Sequence, residues 1–188
     1  MSLISCKNCG RQISDMAETC PHCGEKTKGE MKMYSRKIYN LFIETLSNNL
    51  DFKFNENPDQ GSLLVPQVGI DSSLKSVAIL VEARENDCIL FGIYENFKIS
   101  SENIPKMCEL LARINHMYIY PQMVLDFQNQ AVICRYRHVF SVDLLNTDVA
   151  AQAFMDVGLH LQRCGNAIMA VALGLQEPED AINVIKHD

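Results

Sequence analysis

The sequence predicts an α+β domain in which an antiparallel sheet packs against helices, with a small cysteine-rich module ahead of it. Three observations carry that prediction. Four of the eight cysteines fall at positions 6, 9, 20 and 23, ahead of any regular apolar periodicity. Apolar residues then recur at helical spacing in three separate stretches. Between these lie alternating or continuous apolar runs joined by short polar turns, the pattern of consecutive antiparallel strands. The expected order after the module is α-β-β-β-α-β-β-α, with helices on a sheet face.

The chain has 188 residues and a mass of 21.2 kDa, enough for one good-sized domain and an appendage. Hydrophobic residues make up 47% and charged residues 21%. That composition excludes a disordered chain, a collagen and a coiled-coil rod. The boundaries expected are a module over 1–28, a linker over 29–32, the α+β domain over 33–177 and a tail over 178–188.

The module comes first. It reads CKNCG, then Gly10 to Thr19, then CPHCG. Each C-x-x-C-G segment folds into a knuckle that turns two sulfurs toward one point. Gly10 and Gly24 supply the positive φ that such a turn needs. Two knuckles present four thiolates, from Cys6, Cys9, Cys20 and Cys23, which suits one tetrahedral zinc ion. The spacer is long enough for a short hairpin with Ile13 as its apolar plug. So short a segment has no core of its own, and metal binding supplies its stability, on the order of 10 kcal/mol. A redox C-x-x-C needs one pair in a strand–helix context, and a disulfide framework needs an oxidising compartment, so structural zinc is the preferred reading. A four-sulfur site has no open coordination position for catalysis. His22, between two ligands, reads as an exposed knuckle residue. The segment Cys6 to Gly24 resembles the small zinc-ribbon modules found at the termini of many bacterial proteins.

Glu25 to Lys32 is polar and contains Gly29, a hinge. Tyr34, Ile38, Leu41, Phe42, Thr45 and Leu46 then mark a helix running to about Asn48. Phe52 and Phe54 alternate with polar residues, and Asn55 to Gly61 is dense in turn formers. Ser62 to Ile70 contains Pro66 and suits an edge or irregular strand. Ser76 to Ala83 and Cys88 to Tyr94 are strands joined by Arg84-Glu85-Asn86-Asp87. Ser100 to His116 is the second helix, with Pro105 in its first turn and Ile104, Met107, Cys108, Leu111 and Ile114 as its apolar stripe. Two strands follow, about Tyr118 to Phe127 and Ala131 to Val142. In the second, Val132, Cys134, Tyr136, His138 and Phe140 point one way; Ile133, Arg135, Arg137 and Val139 point the other.

The last helix is capped at Asn146 to Asp148. Its seam is Ala150, Phe154, Val157, Leu161, Cys164, Ile168, Val171 and Leu175. The seam reads as core against the sheet, or in part as a homodimer interface. Gly158 and Gly165 inside it mark close packing. Pro178 falls past its end. Met155 and Met169 are core, or an adaptable binding surface if exposed.

The element order and the stretch from Glu109 to about Leu173, ELLARINHMYIYPQMVLDFQNQAVICRYRHVF followed by a long helix, resemble the YbjN family of bacterial sensory-transduction regulators. The points of likeness are the L-x-x-I-N helix end (Leu111 to Asn115), the L-D-F strand end (Leu125 to Phe127), a polar turn, and a strand leading to the terminal helix. That family is similar in fold to the type III secretion chaperones, which are small, acidic and usually dimeric, and hold extended segments of partner proteins. The resemblance implies a protein-binding role, brings no catalytic residues with it, and does not account for the zinc ribbon.

Charge and motifs bound the function. The 17 basic residues against 23 acidic ones leave a net charge of −6, which counts against a nucleic-acid binder. Within residues 1–30, Lys7, Arg11, Lys26 and Lys28 balance Asp15, Glu18, Glu25 and Glu30. A transmembrane run and a signal-like start to MSLISCKNCG are absent, so a reducing cytoplasm is expected. His22, His116, His138, His160 and His187 form no metal pair at helical spacing. No nucleophile-elbow, P-loop or dinucleotide-binding pattern occurs. Asp126, Asp143 and Asp148 are candidates for a cryptic active site, without a sequence reason to meet a Ser or His. Cys88, Cys108, Cys134 and Cys164 read as small buried hydrophobes. Arg135, Arg137 and possible companion Arg113 read as part of a solvated face rather than an anion strip. The reading is therefore a cytoplasmic, non-enzymatic protein-binding module with one structural zinc. A nucleic-acid-linked regulator is the alternative and an enzyme the third reading.

Overall fold

A computed structural model describes residues 3–6, 8–14, 17, 19–24, 34–95, 97–140 and 145–186. The chain divides into two compact units, residues 1–33 and 34–188. The expected linker over 29–32 lies outside the described residues. In the first unit, β1 (Leu3–Ser5) pairs antiparallel with β2 (Gln12–Ser14), Ile4 opposite Ile13. Ile13 is buried with Cys6 and Cys20, which is the plug expected of it.

The second unit opens with α1 (Arg36–Glu44), whose first turn is capped by the Ser35 hydroxyl accepting from the Ile38 amide. Ile38, Tyr39, Leu41 and Phe42 face the core. The helix widens into a π-helical turn over Thr45–Asn49, closed by Leu50 N donating to Thr45 O at 3.1 Å. Thr45 is buried there, and its hydroxyl donates to Leu41 O at 2.7 Å. That second donor on the Leu41 carbonyl accompanies the loss of the regular ladder.

Six strands follow: β3 (Asn55–Asn57), β4 (Ser62–Gly69), β5 (Ser76–Ala83), β6 (Asp87–Tyr94), β7 (Gln122–Asp126) and β8 (Ala131–Val139). Their spatial order is β3-β4-β5-β6-β8-β7, antiparallel throughout. Four strands therefore precede the second helix, not three. The extra strand, β3, lies in the turn-rich NENPDQG segment. Asn57 pairs with Ser62 across a tight turn, and Gly61 at φ +66° brings the chain back. The Tyr34 ring packs where a Gly61 side chain would stand. Pro66 sits in a register shift between Val65 and Val68, as a proline inside a paired strand requires. The expected last residues of β8, Ser141 and Val142, lie outside the described residues.

The helix α2 (Ile104–Met117) carries proline in its first turn, and α3 (Thr147–Ala172) is capped by the Asn146 side chain accepting from Asp148 N. Seven seam residues of α3, Ala150 to Val171, are buried in the unit's own core. That removes them as a dimer interface. The eighth, Leu175, lies beyond the helix and is 72% exposed, after Gly174 turns the chain at φ +68°.

The helix lies close on the sheet because β6 has a glycine beneath it. A Cβ at Gly92 would stand 2.4 Å from a Leu161 methyl and 2.7 Å from a Val157 methyl. At Gly165, a Cβ would meet Ser72 Oγ at 2.6 Å. There the 71–74 loop is clasped to α3: Asp71 N donates to Gln162 and Ser73 N to Asn166. Gly158 has no neighbour within 4 Å of such a Cβ, so the close packing expected there is not found.

Residues 178–186, expected to belong to a tail, form the helix α4 (Pro178–Lys186). Ala181, Ile182 and Ile185 are buried in the main core. Pro178 starts this helix rather than ending the previous one. Glu179 and Asp180 complement the dipole of its first turn.

The sheet edge at β7 is blunted by one side chain. Asn115, at the end of α2, accepts from Met123 N and donates to Met123 O, both at 2.8 Å. The amide thus stands where a seventh strand would pair. Asn115→Ala is expected to cost about 1–3 kcal/mol, because both backbone groups lose their partner in a part-buried site. Urea melts of the two proteins check this, and a difference below about 0.5 kcal/mol would reject the bracing role.

Candidate functional site

The four N-terminal cysteines come together. Their Sγ atoms all lie within 4.8 Å of one another. Cys6–Cys23 and Cys9–Cys20 are each 3.7 Å apart. Four sulfurs bound tetrahedrally at about 2.3 Å stand about 3.8 Å from one another, whereas a disulfide requires about 2.05 Å. The donor set therefore fits a four-thiolate metal ion.

The local chain explains the convergence. Gly10 N donates to Cys6 O and Gly24 N to Cys20 O, each at 2.9 Å, closing the two knuckles. Gly10 sits at φ +71° and Gly24 at +74°, the left-handed values the sequence called for. The Cys6 thiol is lowered to about 6, chiefly by the backbone amides of Cys9 and Asn8, with burial opposing. A knuckle that stabilises thiolate in this way is prepared for a cation. His22 is exposed and its Nδ1 lies 3.3 Å from Arg11 Nη1, outside the sulfur cluster.

The other candidates disperse. Cys88, Cys134 and Cys164 are buried, and burial pushes their thiols up, to about 12 for Cys88 and Cys164. Cys108 is half-buried at the edge of its stripe, so full burial holds for three of the four. Asp126 is committed to the turn before β8, accepting from Gln128 N, Asn129 N and the Asn129 side chain, which lower its carboxyl. Asp148 stands in the first turn of α3, and Asp143 lies outside the described residues. Arg113 pairs with Glu109 on α2, while Arg137 pairs with Asp87 on the sheet, so the three arginines form no common strip. Among the described residues, the four-cysteine cluster is the group gathered closely enough to hold a metal.

A second feature was not anticipated. Gly92, Cys134 and Met123 face the helices. On the opposite sheet face Arg135 and Arg137 are exposed, as expected of a solvated face, but apolar residues lie among them. The register aligns Leu64, Leu80 and Phe91 in one row and Ala78, Ile93, Ile133 and Val124 in the next, with Ile89 alongside. None of these eight joins the helix-backed core. The signal was present in β5 (SVAILVEA) and β6 (DCILFGIY). Both lack the apolar–polar alternation of a strand with one wet face and read as strands covered on both sides.

No described helix is long and apolar enough to cross a membrane. No family model, curated protein or solved structure matches the chain.

Proposed function

We propose that this chain is a non-enzymatic protein-binding module, chaperone-like or regulatory, carrying a structural zinc ribbon at Cys6, Cys9, Cys20 and Cys23. The observation that carries the reading is the apolar sheet face, which no described helix of residues 34–186 covers. A contiguous apolar patch rimmed by polar residues suits an interaction surface. Zinc is the metal of choice for four thiolates in a closed tetrahedron, and a closed site scaffolds rather than catalyses. The resemblance to the YbjN family and the secretion chaperones belongs to this proposal. It is supported by the succession of helix, strand meander, helix, two strands and helix, with α4 as an addition. A cytoplasmic setting suits the three buried thiols and the cysteine cluster.

The test is a tagged, full-length bait in nuclease-treated lysate, with Phe91→Glu as the parallel bait. The expected result is a discrete protein, an untagged copy of this chain included, held by the wild type and released by the variant. Retention of nucleic acid alone when nuclease is omitted, lost above about 200 mM salt, would replace this reading with the nucleic-acid one.

A further inference from the structure

We propose that the groove between the 71–75 turn and α3 binds a small hydroxylated phosphomonoester. The groove lies on the helix side of the sheet, and the inference goes beyond the protein-binding reading. Its volume is about 560 Å³, within the roughly 300–1,000 Å³ of small-ligand sites. Asp71, Ser73 and Lys75 line it from the turn; Gln162, Arg163 and Asn166 line it from the helix.

Unspent donors are the first argument. Gln162 Oε1 accepts from Asp71 N at 3.0 Å and Asn166 Oδ1 from Ser73 N at 2.7 Å. A backbone N–H can bond only the oxygen of an amide, so these bonds fix which way each side chain is turned. Both NH2 groups are left without a protein partner among the described residues. Carboxylates would hold the turn more strongly. The amides hold it and keep two donors besides. The turn is closed independently by Ile70 N donating to Lys75 O at 2.9 Å, and by Ser72 Oγ bonded to Leu74 N and O, each at 3.1 Å. The donors thus stand on a frame set before any ligand arrives.

Charge is the second argument. Lys75 and Arg163 form no ion pair among the described residues. The Arg163 guanidinium rests over the Tyr118 ring, 5.4 Å from its centroid, which steadies the cation and leaves its N–H groups free to donate. Asp71 is the single carboxylate of the lining, so the groove is +1 in a chain of net −6. Two cations and two amide donors match the several acceptor oxygens of a phosphate dianion. A phosphate ion, the bulk of a few waters at roughly 30 Å³ each, leaves most of the volume unfilled. Asp71 repels a bare anion and accepts from hydroxyl groups, so it suits the other half of a phosphate ester.

The test is NMR titration of the isotope-labelled, full-length protein with ribose monophosphate, inorganic phosphate, ribose and malate. Saturable shifts of the 71–75 and 162–166 amides are expected with ribose monophosphate, at a Kd below about 1 mM. Inorganic phosphate should move the same amides with about 10-fold weaker affinity, and ribose should move none. Asn166→Asp keeps an oxygen for Ser73 N and exchanges the free NH2 for a charged oxygen. It is expected to weaken ester binding about 30-fold with the main melt intact. Arg163→Gln, at an exposed position, should weaken it about 10-fold. Lys37→Gln makes the same change in net charge on α1, outside the groove, and should leave affinity unchanged. No saturable shift with the ester up to about 10 mM overturns the proposal. So does unchanged affinity in both groove variants, or a loss in Lys37→Gln equal to theirs. Malate bound at these amides more tightly than either phosphate overturns the proposed class in favour of a dicarboxylate.

Discussion

Replacing Cys20 with serine is expected to remove the metal and unfold the ribbon while residues 34–186 keep their cooperative melt. The ribbon's apolar core is Ile13 packed against Cys6 and Cys20. Burying one isoleucine is worth about 2–3 kcal/mol. Ordering each residue of the backbone costs about 1–2 kcal/mol, so that core alone cannot hold some twenty residues. Metal binding, on the order of 10 kcal/mol or more, is the largest single stabilising term open to so small a segment. A serine hydroxyl is a poor fourth ligand, and it stands at a buried corner of the cluster, 3.7 Å from Cys9 Sγ in the wild type. Elemental analysis should find about one zinc per wild-type chain and little in the variant. Thiol titration of the variant should show Cys6, Cys9 and Cys23 reactive without chelator. In the wild type all four ligands should become reactive only after chelation. Zinc retained by the variant would reject the four-thiolate site. Loss of the main melting transition would reject the independence of the two units.

How much of this was legible in the sequence depends on how local the determinants are. The knuckles were legible because ligand spacing and the two glycines act within five residues of each other. The α3 seam was legible because its period runs without interruption from Ala150 to Val171, and the strand alternation of β8 was equally direct. Three features depend on distant partners and were not legible. The helix α4 is short, and its Ala181, Ile182 and Ile185 acquire meaning only against α2 and α3; Pro178 alone reads equally as a stop or a start. The π-helical turn comes with a buried Thr45 bonded back to Leu41 O, which propensity does not register. Asn115 reads as an ordinary helix end, yet its amide completes a strand eight residues on. The open sheet face is an intermediate case: the apolar runs of β5 and β6 are visible, but which face the helices leave bare emerges only from their packing.

Acid should destabilise the large unit through His160. The imidazole is 3% exposed on α3, with its Nε2 unpartnered. The Tyr118 ring meets it edge-on at 5.2 Å, and the Arg163 guanidinium lies over that same tyrosine. Burial, and then the Arg163 charge, lower its pKa from 6.5 to about 4. The folded state therefore favours the neutral ring, and the unfolded state takes up the proton first. The stabilisation is complete above pH 6.5 and is lost progressively as pH falls toward about 4. At 1.36 kcal/mol for each unit of pKa difference, the loss is about 3 kcal/mol. The lowered Asp126 carboxyl acts in the same direction but below its ordinary 3.8, outside this window. His160→Phe keeps an aromatic ring against Tyr118 and has nothing to protonate. Urea midpoints of the main transition at pH 7.5, 6 and 4.5 should fall steeply for the wild type and less for the variant, with the two curves converging at neutral pH. Any acid effect on the ribbon is common to both proteins and cancels in the difference. Parallel curves from pH 7.5 to 4.5 would show that the ring reaches water when protonated, and would remove His160 as the source of the acid sensitivity.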